Sequence, residues 1–251
     1  MFAALPMYLT EANRPAHDAF WARLRAELDA RGIGAPERLD HDTPPMEGWA
    51  RPDLVLGQIC NLPYRAHFRD QLTRIGASDY GVPGEAPGYY HSVFVVRDDD
   101  PAQGFAECDG YSVAFNEPLS QSGWANLSAS ARDAGLRLTP VLQTGSHRGS
   151  MAAVTAGRAD LAAIDCITFD NAVAEGAATG LRVIGKSAAT PGMTLVTAPG
   201  NDPAPIRAAL AAALAGLPAE TAHALRLRGV VDLPGEAYDL PLPPPPAMTA
   251  G

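Results

Sequence analysis

Short apolar runs alternate with helix-period stretches along most of this chain, and that alternation restricts it to an α/β fold with mostly parallel sheets and crossover helices. Ala3 to Tyr8 reads as a first strand. The stretch from Pro15 to Arg31 reads as a helix, with Phe20, Trp21, Leu24 and Leu28 on one face and Gly32 as its stop. DLVLGQI at 53–59 and YYHSVFVVR at 89–97 read as buried strands, with a helix from Leu62 to Thr73 between them.

A second set follows. Tyr111–Asn116, Leu136–Leu142, Leu161–Asp165 and Leu181–Gly185 read as strands, separated by helices over Ser122–Ala134, Arg148–Gly157 and up to Ala178. MTLVTA at 193–198 carries the chain back to the first set, where Pro203–Leu214 and Pro218–Leu227 add helices. Two crossings imply a hinge. The expected division is residues 1–96 and 194–240 in one lobe, 97–193 in the other, and an extended Pro-rich tail over 241–251 that joins no core.

The bulk numbers remove several function classes. With 251 residues, 47% of them hydrophobic, the chain can bury the cores of two small lobes. Nineteen basic against twenty-eight acidic residues give a net charge of −9, and no Lys/Arg run could follow a nucleic-acid backbone. A small anion is still admissible, because oriented amides make a local positive field inside an acidic protein. The opening MFAALPMYLTEANRP has no basic region and only a short apolar run, so it reads as neither a secretory signal nor a membrane span. On that reading the chain is periplasmic if a leader has been removed and cytoplasmic if complete as written. Cys60, Cys108 and Cys166 lack CxxC spacing, against a disulfide framework or a zinc site. No metal or organic cofactor is expected, and neither HExxH, a P-loop, GxSxG nor GxGxxG is present.

Two helix starts carry the candidate chemistry. In Asn116-Glu-Pro-Leu-Ser120-Gln121-Ser122-Gly123, two hydroxyls, a small glycine and unpaired first-turn amides suit a tetrahedral anion. The same serines could equally be plain N-caps. The second start, Thr144-Gly-Ser146-His147-Arg148-Gly-Ser150, offers a histidine and an arginine to an oxyanion, or again only caps. Asp165 ends a strand where it either reaches the same crevice or caps the next helix, and Cys166 beside it reads as buried filler. Tyr8, Gln58 and Tyr90 are candidates to wall the site from the other lobe; their alternative is core packing.

Four stretches, LPMY at 5–8, LGQICNLPYR at 56–65, NEPLSQSGWANL at 116–127 and GSHRGSMAAVTAGRADLAAIDCITF at 145–169, resemble the substrate-binding proteins of phosphate, phosphite and phosphonate ABC transporters. The resemblance implies a two-lobed type II periplasmic-binding fold, with a mostly parallel sheet flanked by helices in each lobe. It further implies closure over a small phosphorus oxyanion, delivered to an ABC permease without direct membrane insertion and without catalysis. Matched position by position, Ser120, Ser122 and Gly123 correspond to the anion-cradling helix start, His147 to a ligand-facing histidine and Asp165 to a strand-end carboxylate. Tyr8 and Tyr90 correspond to aromatic positions. Three other readings stand beside it: a cytoplasmic sensor or partner-binding module docking through the polyproline tail, a binder of sulfonate or pyrimidine, and an enzyme using His147 with Asp165 or Cys166.

Overall fold

A computed structural model describes residues 1–248, and the chain falls into two compact units: Met1–Tyr89 with Pro191–Asp239, and Tyr90–Thr190 with the segment from Leu240 onward. The chain passes between units at Tyr89–Tyr90 and Thr190–Pro191, two short strands that pair with each other. A third passage follows Asp239.

The first unit is built on a five-stranded sheet in the order Phe2–Ala4, Leu54–Ile59, Thr194–Thr197, Thr73–Asp79, Gly229–Val231. Phe2–Ala4 runs parallel to Leu54–Ile59, while Thr194–Thr197 is antiparallel to both its neighbours. Every residue of Leu54–Ile59 is buried, as expected for a strand covered on both faces. The Arg14–Asp29 helix buries Phe20, Trp21, Leu24 and Leu28, one stripe at helical spacing, and the turn after it ends at Gly32 with φ of 72°.

Thr73–Asp79 differs from expectation. The helix expected over Leu62–Thr73 is only Asn61–Pro63 followed by a π-turn at Tyr64–Phe68, and a strand starts at Thr73. TRIGASD shows no clean period-two alternation because its centre is buried on both faces and uses small residues. A Cβ at Gly76 would lie 2.7 Å from Val230 Cγ1, so close approach of the edge strand demands glycine there.

The second unit has the order Thr139–Gln143, Ser112–Phe115, Leu161–Asp165, Ser92–Arg97, Leu181–Lys186. Ser112–Phe115 is parallel to both of its neighbours, and Ser92–Arg97 is antiparallel to both of its own. Both sheets are therefore mixed: the returning strand Thr194–Thr197 is inserted antiparallel in the first, and the entering strand Ser92–Arg97 in the second. Ser92–Arg97 was expected to close the first lobe, yet its partners, Ala162–Asp165 and Leu181–Lys186, place it at the heart of the second. An apolar run reveals that a strand is buried but not which sheet receives it. Phe94, Val96, Val113, Leu161 and Ala163 form the core beneath, with Phe105 stacked on Phe94 at 4.2 Å. Residues 249–251, the end of the expected tail, lie outside the described residues; the rest of that tail associates with the second unit rather than standing apart.

Candidate functional site

The site in the second unit begins where Ser112–Phe115 runs out. The chain turns through Asn116–Ser120 and opens a π-turn, Gln121–Ala125, that leads into the Asn126–Ala134 helix. Ser120 caps it: its Oγ accepts from the Gly123 amide at 2.9 Å, and its carbonyl accepts from the Trp124 and Ala125 amides. The ladder of helical bonds thus starts at Trp124, and the Gln121 and Ser122 amides precede it. Gly123 is small for a reason, since a Cβ there would overlap Asn116 Oδ1, a buried oxygen with no hydrogen-bond partner.

The next strand–helix unit supplies the second half. Thr139–Gln143 ends at Thr144, whose hydroxyl bridges the Phe115 carbonyl and Ser150 Oγ, and Ser146 caps the His147–Thr155 helix through the Gly149 amide. This seats His147 on the first turn with Nε2 2.8 Å from Ser122 Oγ. The two helix starts are therefore joined by one side-chain bond.

His147 is electrically neutral in this setting. Nδ1 is sealed from solvent and has no hydrogen-bond partner among the described residues. Burial disfavours the imidazolium and pushes its pKa down to about 4, the Ala163 carbonyl opposing only weakly. A neutral ring would meet an oxyanion with an ordinary hydrogen bond rather than a charge-assisted one. The Arg148 guanidinium pairs with Glu175 at 2.6 Å on the exposed side of the helix.

Behind the Ser122 turn lies a buried polar chain. Gln121 Nε2 donates to Asn126 Oδ1 at 2.8 Å, Asn126 Nδ2 to Ser92 Oγ at 2.9 Å, and Ser92 Oγ to the Ser122 carbonyl at 2.9 Å. Ser92 is fully buried, and its own amide is met by Ser187 Oγ at 3.0 Å. Asp165 stands opposite Ser92 in the sheet register. Its Oδ1 accepts from the Ile167 and Thr168 amides at 2.9 and 3.1 Å, the capping role that the sequence offered as an alternative. Tyr90 is buried at the entrance to the same strand. Ser92 and Asn126 were missed in the sequence, although a serine heading the apolar run VFVV was the available signal.

Tyr8 and Gln58 lie in the first unit, joined through Tyr80. Gln58 Nε2 donates to Tyr80 Oη at 2.9 Å, its Oε1 accepts from the Met7 amide at 3.3 Å, and Tyr8 packs edge-on against Tyr80 at 4.7 Å. Among the described residues, no cluster of three or more His, Cys, Asp or Glu could hold a metal ion, and no helix is long and apolar enough to cross a membrane.

Two α/β units with mixed sheets flanked by helices, linked by returning chain, define the two-lobed class of periplasmic binding proteins. Within that class the chain belongs to the family of periplasmic substrate-binding proteins of phosphonate ABC transporters, which it matches over residues 56–232. Among solved structures, XAC2383 from Xanthomonas citri bound to ATP is similar at TM-score 0.69 and 16% identity, covering 90% of each chain. PhnD1 from Prochlorococcus marinus in complex with methylphosphonate is similar at TM-score 0.69 and 14% identity, over 94% of this chain and 93% of that one. A binding-protein component of an ABC phosphonate transporter from Pseudomonas aeruginosa follows at TM-score 0.63 and 16% identity, over 92% and 80%. At such identities the likeness is one of fold. No curated protein matches the chain.

Proposed function

We propose that this protein binds a small phosphorus oxyanion, a phosphonate, phosphite or phosphate, at the paired helix starts of its second unit, and serves an ABC permease as the solute-binding component. The observation that carries the reading is the 2.8 Å bond between Ser122 Oγ and His147 Nε2. It brings two hydroxyl-rich helix starts to one place, where first-turn amides and helix dipoles favour an anion. With Arg148 engaged by Glu175, the anion's charge is met by amides and hydroxyls.

The same geometry speaks for binding without turnover. An acid–base pair works best with pKa values near the operating pH. His147, held at about 4, is a weak base, and burial beside Asp165 pushes the Cys166 thiol up to about 12, where it carries no nucleophilic thiolate at pH 7. Oδ1 of the Asp165 carboxylate is engaged in capping by helix amides.

Thermal unfolding against phosphate, phosphite, methylphosphonate, 2-aminoethylphosphonate, sulfate, a pyrimidine and ATP tests the reading. A ligand at about 100 times its Kd adds roughly 2.7 kcal/mol, and each kcal/mol moves a domain of this size by about 2–4 °C. A clear rise with a phosphorus oxyanion, absent with sulfate and unaccompanied by any new species in the phosphorus NMR spectrum, is the expected result. A rise only with sulfate, the pyrimidine or ATP, or no rise at all, overturns it.

A further inference from the structure

The C-terminal segment lies against the protein in a regular way. Leu240, Pro243 and Pro246 are half-buried and the residues between them are exposed. A repeat of three is that of a polyproline II helix with one edge on a surface. The surface belongs to the second unit. There Trp124 Nε1 donates to the Pro244 carbonyl at 2.8 Å. A polyproline helix makes no internal hydrogen bonds, so its carbonyls are open to donors such as an indole N–H.

Trp124 is the fourth position of the functional π-turn, directly after Gly123 and two residues after Ser122. The residue is 8% exposed, and its ring packs at 5.4 Å against Phe115, the last residue of the strand that feeds the site. The indole is thus held by Phe115 on one side and by the proline segment on another. A π-turn is a rare, locally unfavourable conformation that persists where surroundings impose it. The proline segment loses little conformational freedom on docking, which suits it to this task.

We infer that Leu240–Pro246 is an intramolecular polyproline ligand of Trp124, and that Trp124 is a positioning residue for Ser122 and Gly123, so that tail docking holds the π-turn and sets the affinity of the oxyanion site. Only the affinity clause rests on the function proposed above. Three proteins test it: the full chain, a chain ending at Asp239, and the full chain with Trp124→Phe, which keeps a ring but removes the donor. Hydrogen exchange of the amides from Gly123 to Asn126 is expected to accelerate several-fold in both variants while the Cys166–Ala174 helix is unchanged. A synthetic peptide of residues 240–248 restores protection to the truncated chain and not to its Trp124→Phe counterpart. Methylphosphonate or phosphate affinity is expected to fall about fivefold, the loss of one neutral hydrogen bond.

Unchanged exchange in both variants overturns the inference, as does acceleration spread evenly over the second unit, which would make the tail a general brace. Faster exchange with unaltered affinity removes the affinity clause. If the truncated chain fails to fold, Trp124→Phe decides alone. If the wild-type protein binds no oxyanion, the proposed function falls while the exchange and peptide measurements still decide the docking.

Discussion

Ser122 Oγ and His147 Nε2 lie 2.8 Å apart although 25 residues separate them in sequence, because consecutive parallel strands deliver their following helices to the same end of the sheet. If the pair acts as one unit on the ligand, Ser122→Ala and His147→Ala each weaken oxyanion binding by about 0.5–1.5 kcal/mol, the range for a neutral hydrogen bond. The double variant should lose less than the sum. Titration calorimetry over the full double-mutant cycle checks this, and strict additivity would count against the pair.

The neutral state of His147 gives a pH dependence with a definite sign. Its native pKa of about 4 lies below the ordinary value of 6.5. As pH falls, the unfolded chain takes up this proton first, so the stability contribution is fully present above about 6.5 and is lost between there and about 4. A part-exposed residue makes this about 1–2 kcal/mol. Buried His17, also lowered by burial, has the same sign. The difference in denaturant midpoint between wild type and His147→Gln isolates the His147 share; a gap that does not change from pH 7 to pH 4 would contradict the assignment.

Gly123→Ala should disable the turn. The new methyl overlaps Asn116 Oδ1 and meets Ser120 Oγ at 3.2 Å, so the Asn116 side chain must swing away. An overpacking cost of about 1–3 kcal/mol is expected. Adding Asn116→Ala removes the obstructing oxygen, so the double variant should recover stability that the single one loses, which thermal unfolding would show directly.

Ser92→Ala breaks the buried chain at its centre. It leaves Asn126 Nδ2 and the Ser122 carbonyl without their partner, and such unmet buried groups cost about 1–3 kcal/mol. Urea unfolding should register that loss. Ser128→Ala, on the helix that follows and outside this chain of bonds, serves as the control with a change within about 0.5 kcal/mol.

Cys108 and Cys166 should resist thiol reagents in the native state. Burial raises their pKa values to about 11 and about 12, so at pH 8 almost no thiolate is present. Counting labelled cysteines by mass spectrometry before and after denaturation checks this; rapid native labelling of Cys166 would reopen the enzyme reading.

The α/β class and most second-unit elements were legible because apolar runs such as LAAID and helix starts such as SQSGWANL are local signals. What stayed hidden depends on partners distant in sequence. Thr73–Asp79 escaped because its small central residues reflect contacts with Val230 and Val231, some 150 residues later, and Ser92–Arg97 was assigned to the wrong unit because its partners lie beyond residue 160. At the site, residue types pointed to the helix starts, yet only three-dimensional surroundings set the neutrality of His147 and the engagement of Arg148. Polyproline composition announced an extended tail; that it has a tryptophan to bind was not written in the tail itself.

Thr194–Thr197 is the middle strand of the first unit, flanked by Leu54–Ile59 and Thr73–Asp79. On a ribosome, residues 1–89 therefore emerge with a strand pair and the lone strand Thr73–Asp79 but without the strand that joins them, while Tyr90–Thr190 brings out a complete five-stranded sheet. The second unit can close during synthesis. The first must keep two apolar strand edges waiting until translation passes residue 197, the kind of unpaired edge that chaperones shield. Birth order in this molecule thus runs opposite to chain order: the domain that starts first is finished last.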